Sequence, residues 1–223
     1  MSIEPASEPE LLARARAIAG ATVGEIAARL GVGPRASGHK GYVGALVERA
    51  LGLRARGAGP DLPALGVELK TTPIDPSGRP RESTFVCMVP RDGLEQPWEA
   101  SAPRAKLARV LFVPVEAVGE LDRRRIGNAF YWSPSPADDA VLASDWQELA
   151  GALRAHGHEH FSARRGTLLQ VRPKAASARS RWLATGEGEA PMLALPRAFY
   201  LRRTFVATIL AGSGLRAEAS RGT

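Results

Sequence analysis

The sequence contains one cysteine, Cys87, which excludes an internal disulfide. Cys87 sits in the apolar run Thr84-Phe85-Val86-Cys87-Met88-Val89 and reads as a core thiol. No apolar run approaches the length of a membrane span. The opening residues are acidic and polar, without the apolar stretch of a secretory signal, so a soluble cytoplasmic protein is expected. Lysine is also scarce. Lys and Arg together number 30, yet lysine stands only at Lys40, Lys70, Lys106 and Lys174. Lysine is a compact ammonium with a shiftable pKa, whereas the guanidinium is planar and permanently charged. In a chain that otherwise uses arginine, each lysine points to a position where arginine does not substitute.

The chain has 223 residues, of which 44% are hydrophobic. That length and composition suit one large domain, or two lobes sharing a core. The net charge of +7 favours polyanions through counterion release, although a basic surface also serves solubility alone.

Ser7-Glu8-Pro9-Glu10 forms a capping box ahead of a helix ending near Gly20, and Thr22 with Glu25 repeats the signal for a helix to about Leu30. Tyr42 to Leu51 places Val43, Leu46, Val47 and Ala50 on one face, with Glu48 its only acidic residue. Val67 to Ile74 and Thr84 to Val89 read as strands joined by a turn at Asp75-Pro76-Ser77-Gly78. Further strands are expected at Val110 to Val115, Arg125 to Trp132 and Leu168 to Val171. Helices are expected at Asp138 to Leu153 and Arg203 to Leu210, with a frayed tail from Arg216 to Thr223. The pattern is α/β mixed, strand-rich in the middle and flanked by helices.

The sharpest feature is Pro60-Asp61, followed after six residues by Glu68-Leu69-Lys70. Strand side chains alternate, so Glu68 and Lys70 point one way while Val67 and Leu69 point into the core. A carboxylate and an ammonium on an apolar strand cost desolvation energy, which a ligand explains more readily than stability does. Asp61 is close enough in sequence to turn its carboxylate towards Glu68. Two close carboxylates repel unless a cation lies between them, and oxygen ligands of this kind suit Mg²⁺. Asp61, Glu68 and the carbonyl of Leu69 would then hold the ion, with Lys70 positioning or deprotonating a water. On spacing alone, an ion pair on a solvated hairpin edge fits equally well.

Other features weigh less. His156, His158 and His160 form an H-x-H-x-H run, but no cysteine or carboxylate motif completes a zinc site, and imidazoles in an exposed loop account for it. Arg123-Arg124-Arg125 reads as a solvated surface or a phosphate contact, and Trp98, Trp132, Trp146 and Trp182 as core or rim.

The segment Leu65-Gly66-Val67-Glu68-Leu69-Lys70-Thr71, with Pro60-Asp61 before it, resembles the PD…(D/E)xK signature of restriction-type nucleases. More closely, the chain resembles the MutH family, strand-discriminating endonucleases of methyl-directed mismatch repair. The segments carrying that resemblance are Lys40-Gly41-Tyr42-Val43-Gly44, Thr84-Phe85-Val86-Cys87, Lys106 with Arg109-Val110-Leu111, Trp132-Ser133-Pro134, Arg172-Pro173-Lys174-Ala175-Ala176, and Leu195-Pro196-Arg197-Ala198-Phe199-Tyr200-Leu201. They run in order over nearly the whole chain. Arg179 to Pro191 and the segment after Leu210 depart from the family pattern.

The resemblance implies a single restriction-endonuclease-like domain over 1–223, with a mixed central sheet flanked by helices. It implies two lobes forming a DNA cleft: an N-terminal lobe (about 1–115) with the metal site and a C-terminal lobe (about 116–215) with recognition residues. The implied catalytic residues are Glu48, Asp61, Glu68, Lys70 and Lys106, with metal held by Asp61, Glu68 and Leu69. The implied DNA contacts are Lys40, Gly41, Phe85, Arg172, Lys174 and Tyr200, the tyrosine sensing the methyl group on adenine. Mg²⁺ is the implied cofactor, and Mn²⁺ or Ca²⁺ can occupy the same site. The implied activity is nicking of the unmethylated strand at hemimethylated GATC by a monomer activated by MutL after MutS finds a mismatch. Two rivals stand beside it: a restriction enzyme of the same fold that cuts both strands, and a catalytically silent DNA-binding module.

Overall fold

The computed structural model describes residues 4–33, 41–54, 59–90, 92–156, 165–174, 182–184, 192–194 and 196–213. Helix α1 (Glu8–Ala17) starts at Ser7, whose hydroxyl accepts the Glu10 N–H. Helix α2 (Val23–Arg29) has the complete reciprocal box: Glu25 N–H donates to Thr22 Oγ1 at 3.1 Å, and Thr22 N–H to Glu25 Oε2 at 2.8 Å. Two otherwise orphaned helix-end donors are thereby satisfied. Helix α3 (Tyr42–Leu51) ends at Gly52, whose φ of 82° is the left-handed cap that glycine adopts without strain. The remaining elements are β1 (Glu68–Ile74), β2 (Thr84–Met88), α4 (Ala102–Leu107), β3 (Val110–Glu116), β4 (Phe130–Trp132), α5 (Pro136–His156), β5 (Leu169–Pro173), β6 (Trp182–Ala184), β7 (Met192–Ala194), β8 (Arg197–Leu201) and α6 (Arg203–Gly212).

The chain divides into two compact units. The first comprises Met1–Glu82, Ala108–Ser133 and Val206–Thr223, and the second Ser83–Leu107 and Pro134–Phe205. Contiguous lobes meeting near residue 115 are thus replaced by interleaved segments. The cause is a parallel pairing: β1 and β3 are neighbours in one sheet, and parallel neighbours require a long crossover between them. Part of that crossover, from Ser83 to Leu107, belongs to the second unit.

In the first unit the sheet order is β1-β3-β4. Strand β3 is buried at every position up to Val115, as a central strand covered on both faces should be. Its core continues through Leu11, Ile26, Leu46, Val47, Leu51, Val67 and Leu69. Each such side chain contributes about 1.5–3 kcal/mol by leaving water. In the second unit the sheet order is β2-β8-β5, with β6 and β7 forming a separate ribbon.

Two expectations are corrected. The segments around Val67–Ile74 and Thr84–Val89 do not form a hairpin: β1 pairs with β3, and β2 with β8. The turn itself is present, with Asp75 Oδ1 accepting the N–H groups of Ser77 and Arg79. Pairing beyond it stops at the Ile74–Pro80 bridge and the Arg81 N–H to Pro73 carbonyl bond. The strand expected from Arg125 to Trp132 is regular only over Phe130–Trp132, with isolated bridges at Arg125 and Ile126.

Candidate active site

The path from Asp61 to Glu68 is a tight turn. Leu62 and Val67 exchange both backbone hydrogen bonds (2.9 and 3.2 Å), and Gly66 closes the turn at φ 65°. That antiparallel register, carried one residue outward, sets Asp61 opposite Glu68. Directly opposed residues have Cβ atoms about 4.5–5.5 Å apart and share a face. The six-residue spacing is therefore the spacing that such a turn needs to set the two acidic residues opposite one another.

Glu68 N–H donates to the Arg109 carbonyl at 2.9 Å, at the start of the ladder with β3. Alternate residues of a strand turn their peptide groups to opposite edges. Leu69 consequently faces the other edge, where its N–H donates to Asp61 Oδ2 at 2.9 Å. The Leu69 carbonyl points to that same edge. Asp61 is thus anchored by one oxygen to the backbone of the residue between Glu68 and Lys70.

Glu68 is only 2% exposed. Lys70 Nζ donates to its Oε1 at 2.5 Å, and the lysine side chain is itself 11% exposed. The solvated hairpin edge is excluded: this is a buried ion pair, in which the ammonium compensates a carboxylate held out of water.

Helix α3 packs on β1. A Cβ on Gly44 would lie 3.5 Å from Thr71 Oγ1, and Gly41 to Gly44 line a recess with Thr71, Pro73 and Val115. Glu48 lies one turn beyond Gly44 on α3. It is half-buried.

Asp61, Glu68 and the Leu69 carbonyl offer hard oxygens of the kind that a divalent metal ion takes. Among the described residues no three His, Cys, Asp or Glu side chains converge on one point, so a closed all-protein cage is not formed there. His158 and His160 lie outside the described residues, as does Lys40. Lys106 is half-buried on α4 and belongs to the second unit.

The second unit gathers the other expected residues on one sheet. Phe85 on β2 and Gln170 on β5 both stand directly opposite Tyr200 on the central strand β8. The Phe85 and Tyr200 rings meet edge-on, with centroids 5.7 Å apart and an interplanar angle of 76°. Lys174 Nζ sits 3.4 Å from the Phe85 ring centroid, a cation–π contact. Arg172, two residues from Gln170, is exposed on the same face, and Lys174 is exposed. The opposite face carries Val171 and Phe199, the latter packed against Trp146 of α5 at 5.4 Å. A bulge between Phe85 and Cys87 shifts the β2 register at this row, a device common beside functional surfaces. Gly41 is exposed in the first unit, at the start of α3.

A family model described as DNA mismatch repair enzyme MutH matches residues 55–145. That span contains Asp61, Glu68, Lys70, Phe85 and Lys106. Similar chains include the DNA mismatch repair protein MutH of Serratia proteamaculans, 44% identical over 93% of each chain. That of Pectobacterium atrosepticum is 45% identical over 94% of each. That of Salmonella paratyphi B is 47% identical over 93% of this chain and 92% of the relative. The chain belongs to the MutH family. It is a DNA mismatch repair endonuclease with the restriction-endonuclease-like mixed α/β fold of that family.

Sequence reasoning assigned no role to several residues that hold these strands in this MutH chain. Arg109, whose carbonyl holds Glu68, is itself bound through its guanidinium to Glu8, at distances of 2.5–3.1 Å. The guanidinium also stacks on Tyr131 at 4.4 Å, and the Tyr131 hydroxyl donates to the Glu8 carbonyl at 2.9 Å. Hydrogen bonds to Glu8 push the Arg109 pKa up further, and burial lifts the Tyr131 phenol to about 12. Gln170 and its partner Ser83 were missed too. Partners 101 and 87 residues apart leave no local signal.

Proposed function

We propose that this chain nicks the unmethylated strand of double-stranded DNA at hemimethylated GATC sites, using Mg²⁺ at Asp61, Glu68 and the Leu69 carbonyl. The observation that carries the metal site is Glu68: a carboxylate 2% exposed, set across from a second carboxylate and neutralised by a lysine. Mn²⁺ or Ca²⁺ would occupy the same oxygens. Bound there, the ion supplies Lewis acidity at the phosphodiester and a more acidic water.

The chain's own groups do the rest. Asp61 fixes the backbone at Leu69 through Oδ2. Lys70 places a positive charge where the phosphorane gathers negative charge, and orients or deprotonates the attacking water. Glu48 adds a third acid to the reaction. Lys106 adds a second ammonium to the reaction. In the second unit Arg172 and Lys174 contact base edges and phosphate, and the Tyr200 ring with Phe85 excludes an adenine N6 methyl group. Lys40 and Gly41 complete the DNA contacts.

We further propose that the protein acts as a cytoplasmic monomer and is activated by MutL after MutS detects a mismatch. No described helix is long and apolar enough to cross a membrane.

The test is a nicking assay on plasmids with one GATC site, unmethylated, hemimethylated or fully methylated, with and without Mg²⁺ and MutL. Nicks confined to unmethylated strands, dependent on the metal and raised by MutL, are the expected result. Linear product without MutL would instead identify a restriction enzyme. Binding without cleavage under every condition would leave a silent DNA-binding module.

A further inference from the structure

We infer that Gln170 is a positioning residue for methyl discrimination, a strap that fixes Tyr200 in its reading posture through Ser83. The inference rests on the proposed role of Tyr200 and concerns what holds that ring in place.

Gln170 is an unexpected side chain for its position. It lies in the row Phe85–Tyr200–Gln170 across the sheet, on the face that also carries exposed Arg172. Yet Gln170 is only 7% exposed. A buried amide needs a partner. It has one: Nε2 donates to Ser83 Oγ at 2.8 Å. Ser83 stands two residues before Phe85, next to the start of β2, while Gln170 is on β5. Those strands are not neighbours, because β8 with Tyr200 runs between them. The hydrogen bond therefore passes over the central strand at the foot of Tyr200 and ties both outer strands together.

Excluding a single methyl group requires a ring that does not yield. On one side the ring of Phe85 meets Tyr200 edge-on, and Phe85 is in turn covered by Lys174. On the other side Gln170 is the directly opposed neighbour. Were the outer strands free to slide, Phe85 would leave Tyr200, and the bulge beside Phe85 already weakens the ladder there. An apolar residue at position 170 would fill the space without tying the strands.

The experiment compares nicking rates on hemimethylated and fully methylated GATC plasmids and takes their ratio as the readout. Gln170→Met and Ser83→Ala are each expected to lower that ratio about three- to tenfold, the range of one net hydrogen bond. The double variant is expected to go no lower, since both changes remove the same bond. Ser83→Thr, which keeps the hydroxyl, should retain the parent ratio. Thermal unfolding and binding to DNA without GATC are measured alongside, and a destabilised sheet alone would move those and leave the ratio unchanged. Tyr200→Ala is run in parallel. If Tyr200→Ala collapses the ratio while Gln170→Met and Ser83→Ala do not, the strap is refuted and the Tyr200 reading stands. If Tyr200→Ala leaves the ratio unchanged, the reading of Tyr200 fails and the strap fails with it.

Discussion

Replacing Lys70 by methionine should destabilise this protein markedly in the absence of metal and less in its presence. Glu68 is 2% exposed, and the Lys70 side chain 11%. Methionine keeps the volume and removes the charge. A buried pair broken from one side takes a compensating charge from the ion that remains, which costs up to about 3–5 kcal/mol. A domain of ordinary stability has about 5–15 kcal/mol in total, so the loss is large. Changing both partners, Glu68→Gln with Lys70→Met, should cost far less, because no lone charge is left behind. A divalent ion offers Glu68 a second source of positive charge. At about 100 times its dissociation constant it adds about 2.7 kcal/mol, and without the ammonium competing for Oε1 it should bind the single variant more tightly than the parent. Lys70→Arg should keep the stability and lose the cleavage. The assay is urea unfolding in chelator and in Mg²⁺, with Ca²⁺ affinity measured by calorimetry. A Lys70→Met protein within about 0.5 kcal/mol of the parent in chelator, or one that binds Ca²⁺ more weakly, would refute this account of the pair.

Gly66→Ala puts a side chain at φ 65° and should cost about 1–2 kcal/mol. It should also raise the Mg²⁺ concentration needed for nicking, because that turn sets Asp61 against Glu68. Tyr131 should remain protonated to about pH 12, read as tyrosinate absorbance. Its folded pKa is raised, first by burial, so its contribution to stability is whole below the unfolded value and is lost as pH rises through the folded one. Unfolding midpoints should therefore fall across the alkaline range, and Tyr131→Phe should flatten that fall. Arg172→Ala and Lys174→Ala should each weaken DNA binding and reduce the slope of log affinity against log salt by about 1 for each phosphate no longer neutralised. An unchanged slope would mean that the altered residue meets a base edge or does not touch DNA.

What could be read from the sequence was what is decided locally. The box at Thr22 and Glu25, the apolar face of α3 and the run of β3 need only near neighbours, and each stands where its pattern puts it. Strand partnership is decided elsewhere. The turn at Asp75 is real, but its sequel cannot extend along β1, because Pro80 has no N–H to donate and Asp61 already occupies the Leu69 N–H on that edge. A local hairpin signal was overridden by a side chain from an earlier turn. Strand β8 escaped notice for a related reason: in Arg197-Ala198-Phe199-Tyr200-Leu201 no simple alternation survives, since Ala198 and Phe199 are both buried. Asp61, Glu68 and Lys70 were legible because chemistry and spacing coincide within ten residues. Glu8 with Arg109, and Ser83 with Gln170, became visible only through pairings across 101 and 87 residues.

The scarcity of lysine acquires a physical reason at the site. An arginine prefers to grip a carboxylate with two parallel hydrogen bonds, taking both oxygens. At position 70 that grip would close Glu68 to any metal ion. An ammonium bonds a single oxygen, here Oε1, and neutralises the charge without capturing the group. The same compactness matters over Phe85, where Lys174 Nζ approaches to 3.4 Å from the ring centroid as a point charge. A guanidinium there would lie flat across the ring and extend towards the neighbouring Tyr200. In a chain where all but four of the 30 basic residues are arginine, lysine at these two positions suits a carboxylate that the proposed metal would share and a small cation over a ring.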